Sequence, residues 1–137
     1  MTTPVPKANA MLICDYVITE QGTNKKSLIG IFEHIGAAQF PVIHNSMSVY
    51  VKLTDAQGDY QFRLDLADLK NERLIAQCNL PSKIHINHPL ETRELVFNFM
   101  GLKFVEPGQY EFRMYANDHI FGQKVFVVNQ ASNRGQN

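Results

Sequence analysis

The side chains best suited to chemistry are scattered along this chain. His85 and His88, with Cys78 upstream and Met100 downstream, supply the two imidazoles, the thiolate and the thioether that a blue-copper centre uses. Their spacing opposes that role, because such centres gather Cys, His and Met in a loop before the last strand, where this chain offers only His119. His85 and His88 also lie an odd number of positions apart, so along one strand they face opposite sides. No metal is expected. Asp65 and Asp68 are the nearest paired carboxylates, and Asp65 falls on an outward phase beside a turn, where a solvated carboxylate is expected. Serine, cysteine and histidine are present, but none stands in a Gly-x-Ser-x-Gly elbow or beside a Gly-rich phosphate cradle. No catalytic or cofactor-binding residue and no cofactor is assigned, and the expectation is a protein that is not an enzyme. Tyr50 and Tyr115, on outward phases, offer a stacking platform for a sugar or a base, although the absence of tryptophan weakens a carbohydrate reading.

Charge narrows the partners. Lysines plus arginines equal aspartates plus glutamates at 13 each, and Lys25 and Lys26 form a two-residue basic run. No long-range field draws nucleic acid or an anionic membrane to such a chain, and its small self-repulsion favours self-association. No stretch reaches the roughly 18 consecutive apolar residues that span a bilayer. The apolar run before Cys14 is too short for a lipoprotein signal, and Ile13 stands where cleavage requires a small residue. An unprocessed cytoplasmic chain with Cys14 and Cys78 as free thiols is expected.

The elements that must position these groups alternate apolar and polar residues. Residues 11–19 read as a strand apolar in both phases, so both of its faces want cover, and residues 27–33 return as its hairpin partner. Gly30 within that return implies a bulge or a close backbone approach. Met47, Val49, Val51 and Leu53 point inward on the next strand, and a turn at residues 55–59 leads to Tyr60, Phe62, Leu64 and Leu66 as a second hairpin. Leu74, Ala76 and Cys78 share one phase of a shorter strand, and Leu95, Phe97 and Phe99 share one phase of a later strand. Pro107 and Gly108 then turn the chain into Tyr110, Phe112 and Met114. Gly-x-Tyr at that point matches a tyrosine corner, whose hydroxyl bonds backbone a few residues upstream. An antibody-type disulfide is not expected, because Phe112 occupies the position of its second cysteine.

About eight short strands without a helical period predict an all-β fold, an antiparallel immunoglobulin-like β-sandwich, with a small barrel sharing the same local code. The domain is expected over residues 10–129, between a flexible arm (1–9) and a flexible tail (130–137). Cys14-Asp15-Tyr16, the return Ser27-Leu28-Ile29-Gly30-Ile31-Phe32 and the closing Pro107-Gly108-x-Tyr110-x-Phe112 together resemble a family of short bacterial all-β proteins of unknown function. The resemblance implies a single sandwich domain and brings no site residues. The expected role is protein–protein contact or self-association, with a small-ligand or carbohydrate-binding sandwich as the alternative and an enzyme with an unrecognised site as the third. Met11 to Ile18 and Val125 to Val128, apolar in both phases, are the expected contact strands of a homodimer, with Phe126 and Val128 facing inward.

Overall fold

The two-residue period produces strands throughout. The computed structural model describes residues 3–131, and among them are eleven strands: β1 (Lys7–Thr19), β2 (Lys26–Ile31), β3 (His34–Ala37), β4 (Val42–Thr54), β5 (Gly58–Tyr60), β6 (Phe62–Asp68), β7 (Arg73–Asn79), β8 (Ile84–Ile86), β9 (Arg93–Phe104), β10 (Gly108–Ala116) and β11 (His119–Gln130). The three short pieces β3, β5 and β8 raise the count above the expected eight. One sheet has the order β2-β1-β4-β9, a second β3-β11-β10-β6-β7, and β5 with β8 makes a small ribbon. Neither large sheet closes on itself, so the fold is a sandwich and not a barrel. The pairings are antiparallel apart from β3 beside β11.

The expected inward rows face each other across the core. Met47, Val49, Val51, Leu53, Leu95, Phe97 and Phe99 come from the first sheet, and Phe62, Leu64, Leu66, Tyr110, Phe112, Met114, Phe126 and Val128 from the second; all are buried. Aromatic rings stitch the layers together, with centroids 5.5 Å apart for Phe99 and Phe112 and 4.9 Å for Phe104 and Tyr110. The Tyr110 hydroxyl donates to the Glu106 carbonyl at 2.6 Å, which makes the corner. Asn117 and Asp118, both at positive φ, close the β10–β11 hairpin as a two-residue turn requires.

Several local expectations are corrected. β4 and β6 do not pair as a hairpin: the turn between them carries the chain from one sheet to the other, with Ala56 buried and the Asp55 N–H donating to the Pro89 carbonyl at 2.8 Å. Across Gly101, at φ 68°, the inward phase of β9 switches from odd residues to Leu102 and Phe104, because a left-handed residue reverses the alternation. A register shift between Leu66 and Ala67 does the same to β7, leaving Leu74 exposed while Ala76 and Cys78 pack on the core. The chain is also held further out than expected. Lys7 pairs with Thr54, the Tyr60 hydroxyl donates to the Pro4 carbonyl at 2.6 Å, and the Ala131 N–H bonds the Ala37 carbonyl at 2.7 Å. The remainder of the expected arm and tail, residues 1–2 and 132–137, lies outside the described residues.

Candidate functional site

The register of the first hairpin creates a cleft. β1 and β2 pair Cys14 with Ile31 and Tyr16 with Ile29, which sets Asp15 opposite Gly30. No bulge interrupts the pairing; the glycine serves a close approach. A Cβ at Gly30 would lie 2.8 Å from the Asp15 carboxyl carbon, and its φ of +70° is one that other residues rarely adopt. Asp15 therefore lies over bare backbone. Beside it is a cleft of about 400 Å³ lined by Asp15, Gly30, Ile31, Phe32, His34, Ile35, Gly36 and His44. Phe32 and His44 stand against each other with ring centroids 5.8 Å apart.

These polar groups lack partners. Among the described residues, the carboxylates that take part in no hydrogen bond or ion pair belong to Asp15, Glu20 and Asp55, and the last two lie beyond strand ends. Neither His34 nor His44 makes a side-chain hydrogen bond among the described residues, whereas His85 holds Asp59 at 2.6 Å and His88 accepts the Leu90 N–H at 3.0 Å. Asp15, His34 and His44 do not converge as metal ligands do, nor does any other group of three His, Cys, Asp or Glu among the described residues. Sequence reasoning flagged Gly30 and missed the other three. The available signal was a lone aspartate inside an apolar strand, opposite a glycine in the hairpin register.

The same hairpin presents an apolar row. Cys14, Ser48 and Tyr50 point away from the core yet are buried, and residues 24–26 at the hairpin tip share a cleft with Tyr50, Lys52 and Glu94. The tip of the hairpin thus reaches the outer side of its own sheet. Its Val17 and Leu28 are half-buried, while Tyr16, Ile18, Ile29 and Ile31 remain 51%, 46%, 36% and 56% exposed. Burial pushes the Tyr50 phenol up to about 12, assisted by its hydrogen bond to Glu94 and by that carboxylate's charge. Burial, then the Asp15 charge, also pushes the Cys14 thiol up.

The groups singled out by spacing stay apart. Cys78 sits on β7 in the second sheet and Met100 on β9 in the first, while His85 and His88 are held by local partners. Asp65 is buried and not solvated, because Arg63 and Gln77 cover it at 3.1 and 3.0 Å. Burial pushes Asp68 up, but hydrogen bonds from Asn71 and Lys70, with the Arg73 charge, bring its carboxyl below the ordinary range, as befits a turn cap and not an acid catalyst. Tyr50 and Tyr115 lie on different sheets, and the Arg63 guanidinium stands 4.2 Å over the Tyr115 ring, so they form no common platform. Both cysteines are free. No helix among the described residues is long and apolar enough to cross a membrane.

Two twisted sheets around an aromatic core, with an unpaired polar cleft at one end, define an all-β sandwich whose fold carries no chemistry of its own. Residues 9–129 match the model of the Family of unknown function (DUF6941), and the chain belongs to that family. No curated protein matches it. Among solved structures it is similar to the beta-glucosidase from Listeria innocua (12% identity, TM-score 0.50), over 93% of this chain and 16% of that one. It is similar to the Pseudomonas fluorescens alkylpurine DNA glycosylase AlkC bound to DNA containing an abasic site analog (10%, TM-score 0.54), over 92% of this chain and 30% of that one. The C-terminal domain of wzt is similar over 96% of this chain and 79% of that one (11%, TM-score 0.54). At these identities the likeness is one of fold alone, and the chain spans less than a third of the first two proteins.

Proposed function

We propose that the protein is a non-enzymatic interaction module that associates with itself through the outer face of the β1–β2 hairpin. The observation that carries this reading is the row of Tyr16, Ile18, Ile29 and Ile31, all at least 36% exposed and adjacent through the Tyr16–Ile29 register. Zero net charge removes the repulsion that would oppose a second copy. The other expected strand does not join this interface. Phe126 and Val128 do face the core, but Val125 and Val127 then lie on the outer side of the opposite sheet, so one two-fold contact does not use both rows.

Light scattering at tens of micromolar tests the reading. The parent is expected as a dimer, and Ile18→Lys with Ile29→Lys as a folded monomer, since both positions are solvent-facing and tolerate charge. A monomeric parent defeats self-association, and a double variant that remains dimeric moves the interface elsewhere.

A further inference from the structure

We propose that the cleft between the β1–β2 hairpin and β3 binds a small organic ammonium ion, its nitrogen on Asp15 and its carbon skeleton against Phe32 and Ile35. Three observations combine. Asp15 lies within a strand, its carboxylate takes no hydrogen bond or ion pair among the described residues, and it lines a concave space of about 400 Å³, within the range of small-molecule pockets. Unlike the buried Asp65, which is covered by Arg63 and Gln77, Asp15 is exposed, so its carboxylate is open to a ligand. The placement of Asp15 is built in, because its carboxyl group fills the space over Gly30 that a larger residue would take.

The lining selects among ligands. It contains no lysine or arginine, so a phosphate or carboxylate ligand would meet the Asp15 charge without the usual cationic partner. Asp15, His34 and His44 are not gathered closely enough to share one metal ion. An alkylammonium supplies N–H donors for Asp15, its methylenes suit Ile35, and an aromatic ring such as that of Phe32 favours a cation. His34 and His44 add ring nitrogens at the rim for a second polar group on the ligand.

The test is an amide-resolved NMR titration of the full chain with 1,4-diaminobutane, and with glucose as a neutral polyol, at fixed pH and salt. Diaminobutane is expected to shift the amides of Asp15, Gly30, His34 and Gly36 saturably, and Asp15→Asn to weaken that binding by about tenfold or more while leaving the rest of the spectrum in place. No saturable shift overturns the proposal. So do equal affinity in Asp15→Asn, equal shifts around the turn carboxylates Glu20 and Asp55, or saturation by glucose alone, which would make the cleft a polyol site. Ile18→Lys with Ile29→Lys is expected to keep the titration, which separates this cleft from the self-association surface.

Discussion

The two outer faces of this sandwich are built on opposite plans. On the second sheet, Arg63 bridges Asp65 and Asp118 and covers Tyr115, Gln77 donates to Asp65, and Arg113 pairs with Glu111 at 2.6 Å. Arg63, Asp65, Gln77, Glu111 and Arg113 thus find partners within that face. On the first sheet, the β1–β2 hairpin presents Tyr16, Ile18, Ile29 and Ile31 to solvent. A lattice of paired charges is finished in the monomer. An apolar row gains more from burial, at about 25 cal/mol per Å² of apolar area, than from water. Two faces of one small domain thus separate a solvated surface from one that wants a partner.

The largest loss of stability is expected at Gly30. Gly30→Ala places a Cβ into the Asp15 carboxyl group and asks alanine to hold φ +70°, a backbone cost of about 1–3 kcal/mol before the collision is counted. On the polar face, exposed Gln123→Ala is expected to stay within about 0.5 kcal/mol. Chemical denaturation reads both, and Asp15→Ala in the Gly30→Ala background is expected to recover the collision but not the backbone cost. Equal midpoints for parent and Gly30→Ala would mean that the hairpin does not need the close approach.

A smaller effect ranks anchors within the second sheet. Tyr110→Phe removes a buried hydroxyl bonded to Glu106 and is expected to cost about 0.5–3 kcal/mol. Arg63→Lys, which loosens the surface lattice but keeps the charge, is expected to cost at most about 1 kcal/mol. A reversed order of denaturation midpoints would show that the charged lattice, and not the corner beneath it, holds β10 in place.

The fold was legible wherever one face of a strand is buried and the other wet. Met47 to Leu53 and Tyr110 to Met114 alternate cleanly, and their inward sets are buried as read. The corner was legible because Gly-x-Tyr is a local motif whose hydrogen bond spans four residues. Reading failed where a register shift reverses phase, as opposite Leu74, since period-2 patterns assume an unbroken pleat. It failed again for the turn at residues 55–59, because a loop that changes sheets has the same composition as one that closes a hairpin. The cleft was half visible. Gly30 announced a close approach, but His34 and His44 reach the same space from strands of different sheets, which no local pattern encodes.

Alkali sharpens the contrast more gently. Tyr50 lies under the hairpin side and its phenol is raised from 10.0 to about 12. The folded state therefore holds that proton more tightly than the unfolded chain, so the stabilisation is complete below about pH 10 and is lost as pH rises toward 12. Denaturation midpoints across that window are expected to fall less steeply in Tyr50→Phe than in the parent. Identical slopes would mean that Tyr50 is not shielded by the hairpin.

The mildest probe leaves stability untouched and reads the covering of the first sheet through its thiol. Cys14 is fully buried on β1 between its strand partners Ile31 and Ser48, with its thiol pushed up by burial and by Asp15, so it offers little thiolate and no access. Cys78 is half-buried on the edge strand β7. Labelling with a water-soluble disulfide reagent is expected in two phases, the fast one from Cys78 and the slow one absent in Cys14→Ala. Because reagent reaches Cys14 only when β1 parts from β2 or β4, the slow phase reports that local opening and not global unfolding. Gly30→Ala, which destabilises the hairpin, is expected to accelerate the slow phase and leave the fast one alone. If Cys14 reacts as quickly as Cys78 in the parent, β1 is not held firmly between β2 and β4, and the apolar row would belong to a mobile arm instead of a fixed docking face.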